Sequence, residues 1–216
     1  VAYPTLQASD MALAAETARK TAFFSMVVDS RAHLEALAAA GREAGINIGV
    51  CLDIDLSYRP AGGRVHLGVR RSPIRTESEA VALAAHAAAL DGVAVNAAMG
   101  YEAQIAGVGD AIPGQGGKNR ILRGVKRLSV RELTRRRQAV VGRLKSKGHD
   151  IQVVNGGGSG SLVSTGADPS VTEVTAGSAF YAPGLFHHFQ EVLFQPSAFF
   201  ALQVVRRPAH GIVTCL

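Results

Sequence analysis

The chain has 216 residues, 47% of them apolar and 6% aromatic, and its 23 Lys and Arg against 17 Asp and Glu give a net charge of +6. That supplies one domain with a substantial core; no apolar run approaches the roughly 18 to 20 residues of a membrane-spanning helix, and from Val1-Ala2-Tyr3-Pro4 no export signal is expected. Two cysteines, Cys51 and Cys215, are too few and too badly spaced for a disulfide framework or a zinc site, so both are expected to be reduced thiols in a soluble, cytoplasmic protein.

Short β-type runs alternate with alanine-rich helical stretches, the pattern of a parallel sheet built from repeated strand-helix units. Val1 to Pro4 reads as the tail of a first strand. Phe23–Val28 is a second and Ile46–Ile54 a third; these runs are nearly all apolar, as in strands covered on both faces. Gly92–Ala98, Ile151–Asn155 and about Thr172–Tyr181 complete a set of six. Between them, Ser9 or Asp10 is placed to open one helix and Ser30 to cap the next, which Gly41 would fray or stop. Thr76 and Glu79 form a capping-box pattern ahead of Val81, Leu83 and Ala84. Gly107–Gly117 reads as a long loop, and long loops at strand ends are where such folds keep their chemistry.

Twelve of the 23 basic residues fall between Lys118 and Lys147, with Glu132 the single acid among them. Val130, Leu133, Val140, Val141 and Leu144 recur there at helical spacing, which predicts an amphipathic helix whose solvent face is basic, Arg135-Arg136-Arg137 included. The alternative is a polyanion-binding surface, and the expectation is no nucleic acid and no membrane partner. After Tyr181 the alternation stops, and Phe199–Val205 leads into a new region. The expected division is a partial barrel over 1–184 and, over 185–216, a connection into a β-domain that 216 residues do not complete.

The sharpest chemical feature is Val153-Val154-Asn155-Gly156-Gly157-Gly158-Ser159-Gly160-Ser161, a buried strand running directly into a glycine-rich loop. Glycines let backbone amides crowd round an anion and the serines add donors, as at phosphate sites; a flexible Gly/Ser turn is the bland alternative. No Gly-Lys-Ser/Thr follows, so it is not a Walker loop, and it lies too late in the chain for a dinucleotide fingerprint. Asp53 and Asp55 stand two apart near the end of the third strand, where both would face a barrel mouth unless Arg59, Arg64 or Arg70 partners them structurally. Tyr101, Glu102 and Gln104 group a phenol, an acid and an amide at the end of the fourth strand. His86 reads as structural, and His187-His188 lack further ligands at convincing spacing, so no metal site is expected.

In order and content, Val1-Ala2-Tyr3-Pro4, Val27-Val28-Asp29-Ser30, Leu52-Asp53-Ile54-Asp55, Met99-Gly100-Tyr101-Glu102, Asn155–Gly160 and Thr175–Tyr181 resemble the alanine-racemase-like (fold-type III) pyridoxal-phosphate enzymes. The closest look is to the branch of D-threonine aldolases, D-serine dehydratases and amino-acid deaminase/aldolases. The resemblance implies a TIM-type (β/α) barrel of α/β class, incomplete at about six of eight units, with the start of a C-terminal β-domain. It implies pyridoxal 5'-phosphate as cofactor, held by Gly157, Gly158, Ser159, Gly160, Gly177, Ser178 and Tyr181. It places Tyr101, Gln104, Asp53, Asp55 and His66 near the ring or substrate; His66 stands before Leu67-Gly68 where relatives often carry arginine.

The family's cofactor-binding lysine belongs to a first barrel strand upstream of Val1, and none of Lys20, Lys118, Lys126, Lys145 or Lys147 matches it. This chain is therefore expected to be a fragment, inactive alone. The full-length protein is expected to be a homodimeric lyase acting on D-β-hydroxy-amino acids by aldol cleavage or deamination. Any divalent metal would be bound by residues outside this chain. The alternatives are an amino-acid racemase or a non-catalytic pyridoxal-phosphate-binding protein.

Overall fold

A computed structural model of the chain describes residues 3–216. The elements follow as α1 (Ala8–Lys20), β1 (Met26–Val28), α2 (Arg31–Ala44), β2 (Ile48–Asp53), α3 (Glu77–Ala88), β3 (Val93–Gly100), α4 (Ala103–Ala106), α5 (Gly116–Ser146), β4 (Val153–Gly156), α6 (Leu162–Gly166) and β5 (Glu173–Val174). The five strands form one parallel sheet in chain order, β1-β2-β3-β4-β5, with helix between each pair. Strand order equal to chain order is the wall of a (β/α) barrel. The α/β barrel class expected from the sequence is what the chain adopts.

Alternation along the strands divides the interior in two. Met26 and Val28, Ile48, Val50 and Leu52, Val93, Val95 and Ala98, and Val154 point outward and join Leu34, Leu37, Ala84, Leu133, Val140 and Leu144 of the helices in the main core. Val27, Cys51, Ala97, Met99 and Val153 point the other way, into the lumen. Burying a Leu or Val side chain contributes about 1.5–3 kcal/mol, so the outer layer carries most of the stability.

Ser30 caps α2, accepting from the His33 amide, and Thr76 and Glu79 make the capping box of α3, as expected. Four readings change. α1 starts at Ala8 after Gln7 with no side-chain cap, and Asp10 lies in its first turn, bonded by Thr5. Gly41 does not end α2: the helix closes at Gly45 in the left-handed conformation, and Gly41 is glycine because a Cβ there would overlap the Gly92 carbonyl. The strand expected over Thr172–Tyr181 pairs only at Glu173 and Val174, since Ser178–Phe180 coils into a 3-10 turn. Of the expected strand at the start, Val1 and Ala2 lie outside the described residues, and Tyr3 and Pro4 are in no strand.

The basic segment is helical over 31 residues with the expected apolar stripe buried, but two of its arginines turn inward: Arg137 is 2% exposed and Arg136 is half-buried. Phe186, Phe189 and Val192 form a small cluster with Leu162 and Phe194, and the His188 carbonyl accepts from the amides of Asp110 and Ala111. Beyond it, β6 (Val204–Ala209) and β7 (Ile212–Cys215) make an exposed antiparallel hairpin, separate from the parallel sheet.

Candidate functional site

The lumen opens into a cavity of about 690 Å³. Cys51, Ala97, Met99 and Val153 form its floor; Arg71, Tyr101, Asn155, Gly157 and Gly158 stand around it at the carboxyl ends of β2, β3 and β4. That is the end of the barrel where chemistry collects. None of the lining residues is a lysine. The five lysines lie on α1 and at or next to the ends of α5 and along it, on the outer layer.

The glycine loop has the properties of an anion cradle. Gly157 sits at φ 93°, which favours glycine, and a Cβ on Gly158 would stand 3.0 Å from both Tyr101 Cε2 and Ala106 Cβ. Among the described residues, the backbone amides of Gly158 and Ser159 donate to no acceptor in the chain. The Ser159 hydroxyl accepts from the Ala179 amide at 2.8 Å and lies 3.0 Å from the Ser178 hydroxyl. Ser178 is thus carried to the loop by the same 3-10 turn that cuts β5 short. Gly160 shapes the far side, where a Cβ would overlap the Ala106 carbonyl and the Phe189 ring.

A buried ion set holds this loop from behind. Glu102, Arg137 and Asp168 are 1%, 2% and 3% exposed. Arg137 Nη2 donates to Glu102 Oε1 at 2.5 Å and Arg137 Nη1 to Asp168 Oδ2 at 2.7 Å. Thr165 Oγ1 also donates to Glu102 Oε1, at 3.0 Å, while Glu102 Oε2 accepts the Gly157 amide at 2.8 Å. Burial raises the Asp168 carboxyl, but bonds from Ser170 and Arg137 outweigh it and hold the group below its ordinary value.

The paired acids of the third predicted strand separate. Asp53 ends β2 on the lumen side and is ion-paired to Arg71 Nε at 2.8 Å; its Oδ1 is buried without a partner, and burial pushes its carboxyl up despite Arg71. Strand pairing stops there, so the two-residue alternation does not carry on to Asp55. Asp55 instead accepts from the Ser57 amide and hydroxyl, Arg59 and Arg75, and these outweigh burial to hold it below its ordinary value. Of the arginines expected to partner these acids, Arg59 does; Arg64 and Arg70 are exposed.

The other candidates divide similarly. Tyr101 lines the cavity, whereas Gln104 turns away from it, donating to the Leu56 carbonyl and the Ser129 hydroxyl. His66 lies off the cavity, its Nε2 buried with no hydrogen-bond partner among the described residues. Gly177 and Ser178 are exposed, and Tyr181 is 67% exposed and does not line the cavity. Cys51, in the lumen floor, is raised to about 12 by burial and by the Asp53 charge.

Behind the loop lies a second, basic groove of about 450 Å³, lined by Arg123, Lys126, Arg127 and Arg131 with Gly160 and Ser164. Two of its cations are engaged by Asp110: Lys126 Nζ is 3.3 Å from its carboxylate and Arg123 donates to its carbonyl at 2.9 Å. Lys126 also lies 4.7 Å above the Phe189 ring. Among the described residues no group of three His, Cys, Asp or Glu is placed to hold a metal ion, and no helix is long and apolar enough to cross a membrane.

No protein-family model and no curated protein sequence matches the chain. Solved structures do. D-threonine aldolase from Filomicrobium marinum superposes with a TM-score of 0.72 at 19% identity over 95% of this chain. The chain has the alanine-racemase-like fold. D-threo-3-hydroxyaspartate dehydratase from Delftia sp. HT23 follows this fold at TM-score 0.58 and 19% identity over 87% of the chain, and alanine racemase of Clostridium difficile 630 at 0.51 and 12% over 87%. The match takes in 50% of the aldolase chain, 43% of the dehydratase and 41% of the racemase, so this chain spans about half the length of the enzymes that share its alanine-racemase-like barrel.

Proposed function

We propose that the lumen cavity binds pyridoxal 5'-phosphate through the glycine loop and that the whole protein is a lyase acting on D-β-hydroxy-amino acids. The observation that carries this is the cradle: two undonated amides at Gly158 and Ser159, with the Ser159 and Ser178 hydroxyls 3.0 Å apart beside them, on the rim of a lumen lined by Tyr101 and Arg71. The residues fit the group. Gly158 has no room for a side chain between Tyr101 and Ala106, so bare backbone borders the cavity there, and backbone amides plus hydroxyls are a phosphate's preferred partners.

When bound, pyridoxal phosphate supplies an electron sink that makes bonds at the α-carbon of an amino acid labile. This chain's residues hold and orient. Gly158, Ser159 and Ser178 grip the phosphate, with Gly157, Gly160 and Gly177 shaping the backbone there. Tyr101 borders the ring, and Arg71, steadied by Asp53, faces the cavity as the cation that a substrate carboxylate meets. The fold shared with a D-threonine aldolase and a hydroxyaspartate dehydratase supports the lyase reading over the racemase one, since those two structures superpose more closely than the racemase. The homodimer and a metal held outside this chain belong to the same proposal.

The test is a titration of the chain with pyridoxal phosphate and with pyridoxal. Preference for the phosphorylated form by about tenfold or more, lost in Ser159→Ala, supports the proposal. Equal affinity for both contradicts it.

A further inference from the structure

A glycine-rich loop binds an anion well only if its amides already point the right way, because ordering glycines on binding costs more entropy than ordering any other residue. In this loop one bond fixes the direction: Gly157, at φ 93°, donates its amide to Glu102 Oε2 at 2.8 Å from 55 residues away. Glu102 is held in turn by Arg137 and Thr165 on its other oxygen, and Arg137 is anchored by Asp168.

We infer that Glu102 and Arg137 are positioning residues that preorganise the phosphate loop, turning Gly157 away from the ligand so that the next two amides, of Gly158 and Ser159, face it. The inference rests on the proposed phosphate site and adds what sets its geometry. The carboxylate is required for a stereochemical reason. It presents two acceptor oxygens, one for Arg137 and Thr165 and one for Gly157, whereas an amide of the same size presents one acceptor and one donor. Asn155 and Glu173 neighbour the loop from the lumen side but bond to each other, so they do not share this task.

Charge gives the opposite expectation, which makes the test decisive. Glu102 is an anion behind an anion site, so through electrostatics alone Glu102→Gln strengthens phosphate binding. Through positioning it weakens it. The experiment compares pyridoxal phosphate and pyridoxal binding to the wild-type chain, Glu102→Gln and Thr165→Val, with thermal melts to establish that each is folded. Thr165→Val keeps every charge and removes one bond to Glu102, so it reports even if the glutamine variant fails to fold. The expected result is a loss of about tenfold in pyridoxal phosphate affinity for Glu102→Gln and about threefold for Thr165→Val, with pyridoxal affinity unchanged. Unchanged or tighter phosphate binding in the folded variants overturns the positioning role while leaving the phosphate site standing. A wild-type chain with no preference for the phosphorylated form overturns the site itself, and the inference with it.

Discussion

Arg137 Nη1 lies 2.7 Å from Asp168 Oδ2 while its other terminal nitrogen holds Glu102, so one guanidinium in the middle of a basic helix is the hub of the glycine loop's support. Both carboxylates are buried with it. Removing one partner of such a set leaves uncompensated buried charge, which costs about 3–5 kcal/mol. Arg137→Met is therefore expected to lower the urea midpoint by far more than Arg135→Met, two residues away on the exposed face. Equal, small effects would mean that the buried set carries no net stability.

Two buried carboxylates, one in this set and one outside it, give the fold an acid limit. Asp168 and Asp55 both titrate below 3.8 when folded, so the folded chain takes up their protons less readily than the unfolded one. The stability they contribute is complete above the unfolded value of 3.8 and is lost as pH falls through the lower, folded values. Asp53 works the other way: its folded value is raised, so its contribution worsens as pH rises through that value. Urea unfolding of wild type and Asp168→Asn should differ at neutral pH and converge on acidification below 3.8. A gap that widens on acidification contradicts this.

Gly160→Ala is expected to cost about 1–3 kcal/mol, because the added methyl overlaps the Ala106 carbonyl and the Phe189 ring. Gly177→Ala, with nothing near its Cβ, is the control. A comparison of thermal midpoints checks it, and equal midpoints count against the packing described for this loop.

Cys51, raised to about 12 and buried in the lumen, should resist thiol reagents at pH 8 until the chain unfolds, whereas half-buried Cys215 on the terminal hairpin reacts first. Timed labelling with a disulfide reagent, read by peptide mapping, distinguishes the two. Prompt labelling of Cys51 in the native chain would show that the lumen is open to its floor.

Much of the barrel is legible in the sequence because buried parallel strands are short runs of apolar residues between capped helices. Met26–Val28, Ile48–Asp53 and Val153–Gly156 all fall within or next to such runs. The last strand is not: Thr172–Thr175 and Phe180-Tyr181 are strand-like in composition while Ala176–Ala179 between them are not, and the contact of Ser178 and Ala179 with Ser159 that bends the segment is long-range. The glycine loop is legible as a run of glycines and serines after a buried strand, but its support is hidden: Arg137 stands in an Arg-Arg-Arg run that reads as a solvated face. One signal was present. Leu133, Val140 and Leu144 lie four before, three after and seven after Arg137, so the arginine occupies the apolar stripe of its own helix. Asp55 leaves the lumen face, and pairs with Arg59 as the alternative reading had it, because strand pairing ends at Asp53.

Whether the glycine loop holds pyridoxal phosphate is decided by the structure of the chain with that cofactor bound. The phosphate is expected against the amides of Gly158 and Ser159 and the hydroxyls of Ser159 and Ser178, with the ring in the lumen beside Tyr101. A phosphate found in the basic groove of Arg123, Lys126, Arg127 and Arg131, with the lumen empty, would contradict it.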